Sequence, residues 1–340
     1  MVYHPDLDLH KPLDREVPAT IRRSPLRPRL ALSALTLHGD FYRQLQSKTN
    51  ARIFWHPATQ IFMVLVLTVT VVYQFHDLWA VLDTWAEFGD LVLHNKYLVT
   101  AVFPSLIFVA GTVGLTSFLL TDEIREISDK LGGDAYQQRL FLFPLKVYAN
   151  SSPKDLENKA SAEFLETASA TTELIEYRES PIAVVTVVLV PEKSSKDTFY
   201  AQITGFHVRK AYKEAGLQSD LLDIAVEKTR VLAAAYVKKN KLKKKAPRTV
   251  LLCDAYSVDE LNRPVLEKRG FELKLATTQL DPFAEGDVKG EKFLSLIPDS
   301  VVKRFFGVYR QTYELELDGE GEVEASGAEV ASSTVKSRKR

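Results

Sequence analysis

Cysteine is almost missing from this chain of 340 residues, which holds only Cys253. No intrachain disulfide can form, and no zinc site built on several thiolates can exist. Cys253 ends the apolar run Thr249-Val-Leu-Leu-Cys253 and reads as a buried structural thiol. The seven histidines lack ligand spacing, so no metal role is assigned. A charge excess is also missing: 44 basic residues meet 44 acidic ones, and the net charge points to no nucleic-acid partner. The first 50 residues have no apolar core followed by small residues, so no cleavable signal peptide is expected there.

The most informative absence is local. Residues 53–76 and 97–121 contain no Asp, Glu, Lys or Arg. As helices rising ~1.5 Å per residue, each would be roughly 36 Å long, longer than the ~30 Å hydrocarbon core of a bilayer. Joined by the link 77–96, they predict a two-span membrane hairpin. Arg43, Lys48 and Arg52 precede the first span, and Arg125, Lys130 and Arg139 follow the second. The link sets Lys96 against Asp77, Asp83, Glu87 and Asp90. Basic flanks stay cytosolic, so both termini are expected in the cytosol and the link in the lumen, with span one directing insertion.

Pro57 falls in the first turn of span one, where a missing N–H does no harm, whereas Pro104 is expected to kink span two. Ala110 and Gly114 form a small-residue pair that lets another helix approach, either span one or a client membrane protein. Leu78, Val81, Leu82, Trp85, Phe88 and Val92, with Trp79 nearby, predict a short interfacial helix in the link. Of acidic or basic side chains, the spans contain only His56 and His76, near the ends of span one. Ion and substrate pathways usually need intramembrane charge, so a transporter is disfavoured.

Beyond the spans the pattern becomes α/β. Ile124, Ile127 and Leu131 mark a short amphipathic helix ended by Gly132-Gly133. Strands are expected at 140–149 (an edge or bulge, given Pro144), 172–177, 182–190, 199–208, 250–253, 271–275 and within 305–317. Helices are expected near 217–238 and 258–268. The basic tract 238–245, with Arg248, is either a solvated loop or a contact for anionic lipid. The acidic, Gly- and Ser-rich tail cannot fold alone. The division is therefore 1–52, a cytosolic N-terminal segment; 53–121, the hairpin; 122–317, a cytosolic α/β domain; and 318–340, a disordered tail. Asn150-Ser-Ser152 matches a glycosylation sequon, which this topology leaves in the cytosol.

Two local patterns in the α/β part resemble the GNAT acetyltransferase superfamily: the segment from Ile203 to Leu222, and Val265-Leu-Glu-Lys-Arg-Gly-Phe271. The resemblance implies a mixed sheet with flanking helices and a pyrophosphate-binding turn at Lys213-Glu-Ala-Gly216-Leu-Gln218. Gly216 is kept. Lys213 replaces the usual Arg or Gln, Gln218 replaces a small residue, and Glu214 adds an unfavourable charge. Leu266 stands where the superfamily often has a proton-donating tyrosine. His207 and Tyr212 are the nearby groups able to act as acid or base, against structural readings as a hydrogen-bonded histidine and a packing tyrosine. The domain reads as GNAT-like and non-catalytic.

A second resemblance is carried by Leu37-His-Gly-Asp40, Ser47-Lys-Thr-Asn50, Trp55-His-Pro-Ala-Thr59, Val92-Leu-His-Asn-Lys-Tyr97 and Phe143-Pro-Leu-Lys-Val-Tyr-Ala-Asn150. Their order around the two spans resembles the fungal inorganic-phosphate-transport accessory proteins. The resemblance implies an endoplasmic reticulum (ER) membrane packaging chaperone needed for ER exit of a high-affinity phosphate permease, with ER lipid and vesicle-coat proteins as further partners. It implies no catalytic, cofactor-binding or metal-binding residue. Lys336-Ser-Arg-Lys-Arg340 resembles a dilysine retrieval signal, with Arg338 in place of the usual lysine. Two other classes compete: a membrane-anchored acetyltransferase, and a structural hairpin adaptor of the ER.

Overall fold

Proline opens both long N-terminal helices. In a computed structural model, which describes residues 19–79, 84–94, 96–151, 159–241, 247–284, 292–293 and 297–317, α1 (Pro28–Phe54) and α2 (Pro57–Trp79) each begin on a residue with no N–H to leave unpaired. Between them the chain turns at Trp55-His56, and the Thr59 hydroxyl donates to the Ile53 carbonyl at 2.7 Å. The link contributes α3 (Trp85–His94), and α4 (Lys96–Lys130) follows.

Pro104 lies inside α4, and the helix continues through it. The amphipathic helix expected around Ile124 is no separate element. It is the end of α4, because no breaker separates Thr121 from Asp122, and it stops at Gly132-Gly133 as anticipated. α2 and α4 are long and apolar enough to cross a membrane. Ile61, Val64, Val69, Phe103, Ile107 and Phe108 are exposed on them.

The strand expected at 140–149 does not form. α5 (Asp134–Phe141) and α6 (Leu145–Ala149) take its place, joined through Leu142 at φ 70°. Tyr136, Gln137, Leu140 and Phe141 bury one face of α5 at helical spacing, and Pro144 starts α6 instead of bending a strand. Gln137 fixes the turn by donating to the Leu131 carbonyl and accepting from the Lys146 N–H.

The remaining elements are α7 (Lys159–Thr171), β2 (Thr172–Tyr177), β3 (Ser180–Leu189), β4 (Thr198–Val208), α8 (Leu217–Lys239), β5 (Arg248–Tyr256), α9 (Asn262–Lys268), β6 (Glu272–Thr277), the short pair β7 (Lys292–Phe293) and β8 (Ile297–Pro298), α10 (Asp299–Phe305) and β9 (Arg310–Leu317). With β1 (Ile21–Pro25) they build a seven-stranded sheet ordered β1-β2-β3-β4-β5-β9-β6, antiparallel except at β4–β5. α8 and α9 cover one face. The other packs against α1, α5, α6 and the end of α4.

Residues 19–52 are thus joined structurally to the α/β body. β1 pairs with β2, and α1 buries Leu30, Ala34, Leu37, Tyr42 and Leu45 in the same core as Ile124, Ile127 and Val184. Part of the basic tract (242–246), residues 80–83 of the link and the tail 318–340 lie outside the described residues.

Candidate functional site

Strands β4 and β5 pair in parallel from Thr198–Arg248 to Ile203–Cys253 and then part. Gly205–Val208 stays with β3, while Asp254–Tyr256 stays with β9. An opening between parallel strands invites a ligand, because neither rim has its backbone partner. Here it is filled from α1. Phe41 stacks on His207 with ring centroids 4.1 Å apart, and Tyr42 lies edge-on to Tyr256 at 6.3 Å. The space left is about 30 Å³, lined by Tyr42, Thr204, His207, Asp254, Tyr256 and Asp259 among others. That is roughly room for one or two waters.

Sequence reasoning singled out His207, and the fold places His38 against it, with centroids 4.6 Å apart. No hydrogen-bond partner is found for either ring among the described residues. His38 packs directly over Gly205: a Cβ there would come within 1.9 Å of the imidazole. Burial pushes the His38 pKa down to about 3. Burial also lowers the His207 pKa well below its ordinary value, helped by its neighbours His38 and Lys213. Both rings are therefore neutral packing groups at ordinary pH, and the expected hydrogen bond to His207 is not made. Tyr212 is half-buried beside Tyr177, with ring centroids 5.9 Å apart.

The turn after β4 is wound into a 3₁₀ helix, Lys210–Ala215. Gly216, at φ 76°, reverses the chain into α8, a conformation that favours glycine. Gln218 is buried, and its side-chain amide donates to the Lys213 carbonyl at 2.9 Å. Burial and Lys48 lower the Lys213 pKa, with Asp259 opposing them. Leu266 is fully buried in the α8–α9 core. These residues do not fit the pyrophosphate and thioester of acetyl-CoA: the turn is closed by its own side chain, Glu214 is exposed beside it, and the strand opening is filled. Cys253 is likewise buried, which raises its thiol pKa. Among the described residues no cluster of three His, Cys, Asp or Glu could hold a metal.

A second surface lies on α4. Val109, Val113, Ser117 and Leu120 are buried along one side, the side that meets α2 and α1. Asn50 of α1 accepts a hydrogen bond from Ser117 at 2.8 Å. Ala110 and Gly114 are on the other side. Both are exposed, and a Cβ built on Gly114 meets nothing within 4 Å. Packing of this pair against span one, one of the two sequence readings, is not what the fold makes of it.

Below the apolar part, Glu123 joins α4 to the body. One carboxylate oxygen accepts from the backbone N–H groups of Leu280 and Asp281, both at 2.7 Å. The other meets the Lys303 ammonium at 2.6 Å, which also pairs with Asp299 at 2.6 Å. Burial alone would lower the Lys303 pKa, but the two carboxylates outweigh it and raise it. Sequence reasoning missed this cluster, whose members lie 180 residues apart.

Several solved acetyltransferase structures overlap part of the chain. The IAA acetyltransferase from Bacillus cereus is 15% identical over 49% of this chain and 93% of its own, with a TM-score of 0.27. NAA60 of Arabidopsis thaliana is 14% identical over 49% and 95%, with a TM-score of 0.30. The ribosomal-protein-S18-alanine N-acetyltransferase from Escherichia coli is 13% identical over 51% and 94%, with a TM-score of 0.27. No curated protein matches the sequence. The family described as inorganic phosphate transporter chaperone Pho86 matches residues 4–317, hairpin and α/β body alike, and the chain belongs to that family.

Proposed function

We propose that this protein is a packaging chaperone of the ER membrane, needed for a high-affinity inorganic phosphate permease to leave the ER. In this reading α2 and α4 cross the bilayer as a hairpin, both termini are cytosolic, and the α/β body keeps the client competent for loading into vesicles. The observation that carries it is the outward face of α4. Ala110 and Gly114 stand one turn apart on an exposed apolar helix, where another helix can come close. A polytopic permease presents such helices. Membership of a phosphate transporter chaperone family makes a phosphate transporter the client.

The body supports a non-catalytic role. Among the described residues His207 has no hydrogen-bond partner, Leu266 has no proton to give, and the β4–β5 opening is occupied by α1. Binding helix by helix also suits a chaperone, since contacts in lipid contribute only ~1–2 kcal/mol each and can be released. Deleting the gene tests the role directly. The expected result is permease retained in the ER while other surface transporters traffic normally; normal permease export would end the proposal.

A further inference from the structure

We propose that the notch between α2, α4 and α10 holds one acyl chain of an anionic phospholipid from the cytosolic leaflet, with its phosphate on Arg52 and Arg304. The inference rests on the hairpin being in the membrane.

The notch has a volume of about 170 Å³ and is walled by Ile53, Phe62, Val113, Phe305 and Phe306 among others. Of its three threonines, Thr59 donates to the Ile53 carbonyl and Thr112 to that of Phe108 at 2.8 Å, which leaves the Thr116 hydroxyl as the one free donor among its described lining residues. Water needs polar partners to stay in such a space, whereas an apolar cavity of ~150 Å³ stays dry and accepts an apolar ligand. Its depth matters too. Phe62 is five residues into α2, about 7.5 Å along the helix, and Val113 is eight residues before Thr121, about 12 Å. Phe305 and Phe306 of the α/β body therefore reach hydrocarbon depth from the cytosolic side.

α10 is built inside out for water. Its lysine, Lys303, is buried against Glu123 and Asp299, while Val301 and Phe305 are exposed, the latter at 59%. Phe54 and Trp55, at the end of α1, are exposed as well, with Trp55 at 70%. Beside this surface are two exposed cations. The Arg52 guanidinium lies 3.3 Å from where a Gly307 Cβ would be, and Arg304 follows Lys303 in α10. Neither forms an ion pair among the described residues. Apolar surface continuous with a span, rimmed by aromatic residues and unpaired arginines, matches the boundary of an anionic leaflet.

The test uses the full chain in vesicles of phosphatidylcholine and phosphatidylinositol, one or the other carrying a photoactivatable group on its acyl chain. Adducts from the phosphatidylinositol probe are expected at least fivefold enriched on Phe62, Val113 and Phe305 over the outer α2 residues Val64, Leu65 and Val69. Val113→Trp should abolish the enrichment, and the double variant Arg52→Gln, Arg304→Gln should make the two probes equivalent. Uniform labelling of the wild-type protein would overturn the proposal, whether or not the variants fold, as would equal labelling by both probes. Carbonate extraction of the same vesicles separates the two ideas. A protein released by carbonate refutes the hairpin itself, whereas a retained protein with uniform labelling refutes only the notch.

Discussion

Above and below Thr121, α4 is one helix in two surroundings. Its buried side is continuous: Val109, Val113, Ser117 and Leu120 lead into Ile124, Ile127 and Leu131 at spacings of three and four. Its exposed side changes character. Above, it shows Phe103, Ile107, Phe108 and Leu115; below, it shows Arg125 paired with Asp122 and Lys130 paired with Glu126. A water-facing helix carries charge on its outer face, and a lipid-facing one carries hydrocarbon. The difference teaches that one continuous helix joins an exposed apolar surface to a charged one, so its apolar part is no loose appendage. Whatever α4 meets above Thr121 is mechanically joined to the α/β body.

The junction should fail first at Glu123. Replacing it with alanine leaves Lys303 buried with Asp299 alone and takes the acceptor from the Leu280 and Asp281 N–H groups. Loss of one partner from such a cluster typically costs ~3–5 kcal/mol. Thermal unfolding of the purified protein in detergent should register a fall of that order. A loss under ~1 kcal/mol would mean that α4 and the body are held by apolar packing only.

A smaller effect tests the filled strand opening. His38 and His207 have folded-state pKa values below the ~6.5 of an unfolded histidine. The unfolded chain therefore binds protons first, and stability is complete above pH 6.5 and declines as pH falls toward 3. Between pH 7.5 and 5.5 the pair should cost ~3 kcal/mol, about half from each ring. Denaturant titrations at the two pH values measure this, and His38→Leu should remove roughly half of the dependence. An unchanged dependence would place the titration elsewhere.

The smallest effect predicted is none. Calorimetry with acetyl-CoA should give no heat of specific binding, because Gln218 and α1 occupy the places a cofactor needs. It must be done on the whole chain, since a fragment starting at Thr121 lacks α1 and the side chains that Leu26 to Leu45 add to one core. Micromolar binding, ~8 kcal/mol, would revive the acetyltransferase reading.

Much of this architecture was legible in the sequence. Strands β2 to β5 and helix α8 follow from long runs with clear apolar period, and the long apolar helices α2 and α4 from the absence of charge. The misses have physical causes. β1 and α1 were hidden by Arg and Pro around residue 25, although Leu30, Ala34, Leu37 and Leu45 after Pro28 carry a helical period. Residues 140–149 are apolar enough for a strand, but their burial is helical. His207 could be flagged as unusual from its strand, whereas its neighbour His38 is brought to it only by the fold. No pattern in α4 says which side Ala110 and Gly114 face; that depends on how α1 and α2 pack against the rest.

The central claim is that the outward face of α4 serves a phosphate permease. The most direct test replaces Ala110 and Gly114 together with leucine, which fills the face without adding charge or shortening the span. Surface permease is then measured in cells where the variant is as abundant and as well localised as the wild type. The account predicts permease held in the ER, close to the result of deletion. Permease reaching the cell surface at wild-type levels would contradict it.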